Sequence, residues 1–216
     1  MKWLDDISIS RKLIFSFLAV VIIMVLVGVM GYSGVVTTNQ YLNQMYDDQL
    51  IPTDILESMQ SDLWHLRGNP PGLLFIPETR ENSRAEIAEL IKKIDSSLSA
   101  YESYIISEEE QTIYDKAVVA WGNYKTALAD FDTLVDAEDT KAGVIALTTG
   151  GLVNERKAFS GAIEELVEKN RQDAELLKSE GAETVSNLTL TLVISILIGA
   201  IFAITMGILI SRSITG

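Results

Sequence analysis

The chain has no cysteine and a single histidine among its 216 residues. The first absence excludes disulfides, thiolate metal sites and cysteine nucleophiles together. The second leaves His65 alone beside Trp64, with no Ser/His/Asp arrangement and no metal-ligand spacing around it. A lone histidine near the end of an amphipathic helix reads as a surface or packing residue. No phosphate-binding glycine loop occurs, so no enzyme chemistry is expected and no cofactor or metal is called for. Charge is missing over one long stretch, since no Asp, Glu, Lys or Arg occurs between Leu13 and Tyr46.

What fills that gap is apolar. Two charge-free runs, Leu13 to about Met30 and Leu188 to Ile210, bracket a highly charged middle. A membrane helix needs about 20 apolar residues to cross about 30 Å of hydrocarbon, and both runs have that length. The first also has a basic segment before it, as a signal peptide would. Its apolar part exceeds the usual h-region, however, and Gly31-Tyr32-Ser33-Gly34 is a poor cleavage site, which favours an anchor. Lys2, Arg11 and Lys12 precede the first run and Arg212 follows the second, so the positive-inside rule puts both termini in the cytoplasm. The expected divisions are a cytoplasmic tail (1–12), a first span (13–32), an extracytoplasmic domain (33–187), a second span (188–210) and a short cytoplasmic segment (211–216).

Removing Lys2, Arg11, Lys12 and Arg212 from 17 bases, and Asp5 and Asp6 from 30 acids, leaves 13 and 28 in the exported part, a charge of −15. Nucleic acid is excluded as a partner by that field, and so is docking on anionic lipid. About 150 residues suffice for one hydrophobic core without disulfides.

The middle is patterned as helices. Ile87, Ile91, Ile94, Leu98, Tyr101 and Ile105 form one heptad seam, and Ile113, Ala117, Trp121, Tyr124, Leu128, Phe131 and Val135 form a second. Between them Ser107-Glu108-Glu109-Glu110 reads as a helix start, with serine as N-cap and three acids in the first turn. Leu152, Phe159, Ile163, Leu166, Asn170 and Leu177 carry the rhythm toward the second apolar run. Met45, Pro52, Ile55, Met59, Leu63 and Leu66 continue the first, with Pro52 expected to bend the helix. The fold class is therefore all-α: a membrane-anchored up-down-up-down four-helix bundle whose first and last helices continue as two transmembrane helices. Gly150-Gly151 is expected either to interrupt the last helix or to allow close packing.

Several segments together resemble the amino-terminal part of a bacterial methyl-accepting chemotaxis receptor with a four-helix-bundle sensor domain. They are Ser8-Ile9-Ser10-Arg11-Lys12-Leu13, Tyr46-Asp47-Asp48-Gln49-Leu50-Ile51-Pro52 and Ile163-Glu164-Glu165-Leu166-Val167-Glu168-Lys169-Asn170, with Ser211 to Gly216 similar to the start of a HAMP adaptor. The resemblance implies a homodimer, a small anionic or amino-acid ligand, and relay through the second span to a cytoplasmic kinase complex whose methylation helices would follow Gly216. The same bundle and adaptor also precede histidine kinases and cyclic-dinucleotide enzymes, and a bundle binding only a partner protein is a further reading. One departure is Asn69-Pro70-Pro71-Gly72, through which a helix is not expected to pass.

Arg67, Arg80 and Arg84 fall where the first bundle helix ends and the second begins, and guanidinium forks suit carboxylates. The resemblance implies that such arginines grip a ligand carboxylate while polar groups of the fourth helix, here Thr148 and Thr149, complete the site. The competing reading is that they offset Glu78, Glu81 and Glu86 on a solvated surface. Trp64, Trp121 and Tyr124, at helical spacing, read as core.

Overall fold

The computed structural model describes residues 9–215, and every regular element in them is helical. Residues 1–8 of the expected tail and Gly216 of the expected adaptor start lie outside the described residues. The elements are α1 (Ile9–Gln44), a π-helical segment (Met45–Leu50), α2 (Ile51–Phe75), a 3₁₀ turn (Pro77–Thr79), α3 (Arg80–Glu102), α4 (Glu108–Asp136), α5 (Thr140–Thr148) and α6 (Gly151–Thr215). They form two compact units, one of residues Gln44–Glu175 and one of the chain up to Asn43 together with the chain from Leu176.

The second of these units contains the two apolar runs. Both helices are long and apolar enough to cross a membrane. Phe15, Phe17, Met24, Ile198 and Ile201 are each more than 60% exposed, a pattern that suits hydrocarbon as solvent and would be costly in water. The hydroxyls of these stretches bond to their own helix backbone. Ser16 donates to the Lys12 carbonyl at 2.8 Å, Thr191 to Asn187 at 2.8 Å and Thr205 to Ile201 at 2.7 Å. Such i−4 bonds leave no hydroxyl hydrogen unsatisfied in lipid.

Residues Gln44–Glu175 make the four-helix bundle. All seven residues of the α4 seam are buried, and so are Leu56, Met59, Leu63 and Leu66 of α2, Ile94, Leu98 and Tyr101 of α3, and Leu152, Phe159, Ile163 and Leu166 of α6. Ile87, Ile91 and Ile105 are half-buried against them. Ser107 caps α4 as its sequence implies, accepting from the Glu110 N–H at 3.1 Å. Ser107→Ala should lower bundle stability by about 1 kcal/mol, measurable as a shifted denaturation midpoint; an unchanged midpoint would mean that water replaces the cap at no cost.

The expectation that no helix passes through Asn69-Pro70-Pro71-Gly72 is corrected. Helix α2 runs through Pro70 and Pro71 to Phe75. The two prolines forfeit backbone bonds to the carbonyls of Leu66 and Arg67, about 1 kcal/mol each. The turn that follows buries Leu73 and Leu74, worth about 1.5–3 kcal/mol each, and so tertiary packing outweighs the local loss. Leu74 seats against Gly143 of α5, where any Cβ would lie 2.7 Å from its Cδ1. At Pro52 the chain responds by widening to a π-helix just upstream, with the Ile51 N–H reaching the Tyr46 carbonyl. Proline then occupies the first turn of α2, where its missing N–H costs least. Trp64 is also corrected: it lies one position beyond the Leu63 seam and is 60% exposed.

The glycine pair does interrupt the last helix. Helix α5 ends at Thr148, and the N–H groups of Thr149 and Gly150 both bond to the Ile145 carbonyl, at 2.9 and 2.8 Å. Gly150 folds so tightly over the preceding turn that a Cβ there would sit 2.8 Å from the Ala146 Cα.

Candidate functional site

Of the three arginines singled out from sequence, Arg80 and Arg84 lie in the first turns of α3, whereas Arg67 lies eight residues before α2 ends at Phe75, and each has a different partner. Arg84 of α3 reaches across to α4. Its Nε donates to Asp132 at 2.9 Å and one Nη pairs with Asp136. Hydrogen bonding to Asp136 and then Asp132 raises the Arg84 pKa above its ordinary value. The acids nearby in sequence, Glu78, Glu81 and Glu86, are not its partners. Arg80 donates from Nε to the Leu73 carbonyl at 2.9 Å and so ties α3 to the last turn of α2. Arg67 lies over the Trp64 ring, 5.0 Å from its centre. On α5, Thr148 donates to the Val144 carbonyl at 2.7 Å, and the Thr149 carbonyl accepts from Asn154. Among the described residues no hydrogen bond or ring contact joins any two of these five. His65 is exposed, with its carbonyl accepting from the Asn69 side chain.

Two polar arrangements escaped the sequence reading. In the first, Asp95 of α3 accepts from the Trp121 indole at 2.7 Å and from Lys125 at 2.8 Å. Burial pushes the Asp95 carboxyl up, but the bonds from Lys125 and Trp121 outweigh it and hold the group below its usual range. Trp121 can therefore be a core residue, its ring 4.9 Å from that of Phe159, while its N–H is satisfied at the surface.

The second lies inside the core. Glu110 is only 2% exposed. It accepts from the Tyr101 hydroxyl at 2.6 Å and from the Ile106 N–H at 3.0 Å. Asn170 of α6 donates to the Tyr101 oxygen at 2.7 Å and to the Leu166 carbonyl at 3.1 Å. Burial, and next the bond to Glu110, hold the Tyr101 phenol protonated well above the usual tyrosine range. The signals were present as a polar Asn170 at a core position and a glutamate three residues after a serine cap. The latter is the capping-box spacing, which turns this side chain back over the helix start.

These features describe a bundle with a specified polar layer and an end rich in arginine, without a cluster of metal-ligating side chains among the described residues. Comparison with curated proteins returns no match. The family model of a four helix bundle sensory module for signal transduction matches residues 6–185, a span that takes in the whole bundle and the first apolar run. The chain thus belongs to the four-helix-bundle sensory modules of signal transduction.

Proposed function

We propose that the chain is the input part of a transmembrane chemoreceptor. In this reading the bundle stands outside the cytoplasm, both termini lie inside, and the bundle binds a small organic acid or amino acid. Binding shifts α6, and the shift passes to a HAMP-type adaptor beginning near Ser211 and from there to a cytoplasmic kinase complex. The observation that carries the reading is the single helix Gly151–Thr215, which holds the core residues Phe159, Ile163 and Leu166 and also the apolar run 188–210. A helix without a break transmits a displacement that a flexible joint would absorb. The ligand contributes only its difference in affinity between two arrangements of the helices.

Of the five residues proposed for the ligand, Arg67 and Arg80 have no carboxylate within salt-bridge distance among the described residues, whereas Arg84 is engaged by Asp132 and Asp136. Thr148 and Thr149, at the junction of α5 and α6, complete the proposed set. A homodimer is part of the proposal, because a HAMP-type adaptor acts as a parallel coiled coil.

The test has two arms on the full chain. Thermal-shift screening in micelles against organic acids and amino acids should find a stabilising compound, since a ligand at 100 times its Kd adds about 2.7 kcal/mol. Fusing the chain to the cytoplasmic half of a characterised chemoreceptor should make kinase output respond to that compound. No stabilisation by any compound, together with tight binding of an exported protein, would overturn the small-ligand reading.

A further inference from the structure

The core face of α6 is apolar until it reaches Asn170. Phe159, Ile163 and Leu166 have no exposed surface, and Asn170, four residues after Leu166, is buried with them. An amide in such a place costs stability unless it is hydrogen-bonded. What it contributes is register, since apolar contacts tolerate sliding and a hydrogen bond does not. Asn170 Nδ2 donates to the Tyr101 oxygen at 2.7 Å and to the Leu166 carbonyl of its own helix at 3.1 Å. Among the described residues, the first of these is the one buried hydrogen bond between the bundle part of α6 (151–175) and another helix.

The receiving hydroxyl is fixed from several sides. Tyr101 is fully enclosed and its ring stacks on Tyr114, which itself donates to the Leu98 carbonyl at 3.1 Å. The Tyr101 proton is committed to Glu110 at 2.6 Å, so its oxygen meets Asn170 as an acceptor. Glu110 is held in turn by the Ile106 N–H at 3.0 Å. One line of donation thus runs from α6 through the last turn of α3 to the first turn of α4. The ion pairs beside it are weaker marks of register. Lys169 lies 3.8 Å from Glu109, and Lys116 lies 3.4 Å from Glu165. The side chains of Glu109, Lys116 and Glu165 are all more than half exposed, where such pairs contribute little.

We propose that the Asn170, Tyr101 and Glu110 line is a register lock, which holds α6 at one axial setting against α3 and α4 and must break when α6 is displaced. A shift of about 1 Å, less than the rise of about 1.5 Å per residue, takes the Asn170 amide beyond bonding distance. The flanking apolar side chains stay in contact over the same movement. The lock therefore divides the settings of α6 into held and released. Its existence rests on the packing of the bundle, and its part in signalling rests on the sensor reading.

Because the chain has no cysteine, Lys116→Cys with Glu165→Cys puts two nitroxide labels on α4 and α6 without background. In the full chain in lipid nanodiscs, the dipolar coupling of the labels should give one narrow distance. Asn170→Leu and Tyr101→Phe each remove the bond, and each should broaden or split that distance. The two together should do no more than either alone. Asn170→Leu leaves Tyr101 on Glu110 and strands no carboxylate, so it keeps the test open if Tyr101→Phe folds poorly. Ile163→Val loosens a fully enclosed position of the same helix without touching the lock. It should leave the distance narrow, which separates register from stability. A wild-type distance in both Asn170→Leu and Tyr101→Phe, or equal broadening in Ile163→Val, would overturn the lock. In the chimeric receptor, Asn170→Leu should lower the compound concentration for half-maximal response about tenfold, as for one lost buried bond. An unchanged or raised concentration would remove the lock from signalling. A chimera without substitutions that answers no compound would sink the sensor reading and leave the lock standing on its distances.

Discussion

Phe159→Ala is expected to lower the stability of the bundle by about 3–5 kcal/mol, the range for removing a fully enclosed aromatic ring. Phe159 has no exposed surface and its ring lies 4.9 Å from that of Trp121. The indole is in turn fixed by its bond to Asp95. Because that bond holds Trp121 at the bundle edge, the indole cannot slide inward to fill the space, and the cavity should persist. The measurement is the denaturant midpoint of the full chain in micelles, followed by near-ultraviolet circular dichroism, which reports on Trp121 directly. Val119→Ala on the outer face of α4, where the side chain is 64% exposed, should change the midpoint by less than about 0.5 kcal/mol. A loss below about 1 kcal/mol for Phe159→Ala would mean that the helices close over the gap, and that the core is softer than its packing indicates.

The fold was legible where one periodicity governs a long helix. In α4 a single face meets the core for its whole length, so a 3-4 spacing picks out Ile113, Ala117, Trp121, Tyr124, Leu128, Phe131 and Val135, all of them buried. In α3 the seam drifts, since Leu90 is buried where Ile87 and Ile91 are only half so. A straight helix rotates its stripe against a strict seven-residue repeat, and neighbours on both sides decide which residues are enclosed. Pro70-Pro71 was illegible for a different reason. Local rules record the two lost backbone bonds, but the compensating burial of Leu73 and Leu74 depends on α5 arriving with Gly143 opposite. Trp64 shows the converse. Its size suggests core, while its single-residue offset from Leu63 puts it outside.

The candidate site was less legible because its contacts are long-range. Arg84 finds its carboxylates 48 and 52 residues away on α4, and nothing in the local sequence distinguishes Asp132 and Asp136 from Glu81 or Glu86. Glu110 was hidden by its neighbours. Three consecutive acids at a helix start have one shared explanation in the helix dipole, yet Glu108 and Glu109 are exposed and Glu110 is enclosed, each position being about 100° further round the helix.

Tyr101→Phe is the second large loss expected, about 2–4 kcal/mol, because it leaves a buried carboxylate oxygen and a buried amide each short of a partner. The ring and its stack on Tyr114, with centres 6.1 Å apart, are kept, so the effect isolates the hydroxyl. Glu110 retains only the Ile106 N–H, and Asn170 only the Leu166 carbonyl. Adding Glu110→Leu to Tyr101→Phe should cost less than the sum of the single changes, since the second substitution removes the group that the first had stranded. The pH dependence supplies an independent check. The folded chain raises the Tyr101 pKa by burial and by the bond to Glu110, so the neutral phenol is favoured in the fold. Its stabilisation is complete below the ordinary tyrosine value of about 10 and declines as pH rises above it, where the unfolded chain ionises first. Tyr114 and Tyr124 are raised as well, so the bundle as a whole should weaken in alkali. Tyr101→Phe should make the decline between about pH 9 and 11 shallower without abolishing it. An alkaline slope identical to wild type would show that Tyr101 ionises as freely in the fold as out of it, and that the buried layer is not closed to water.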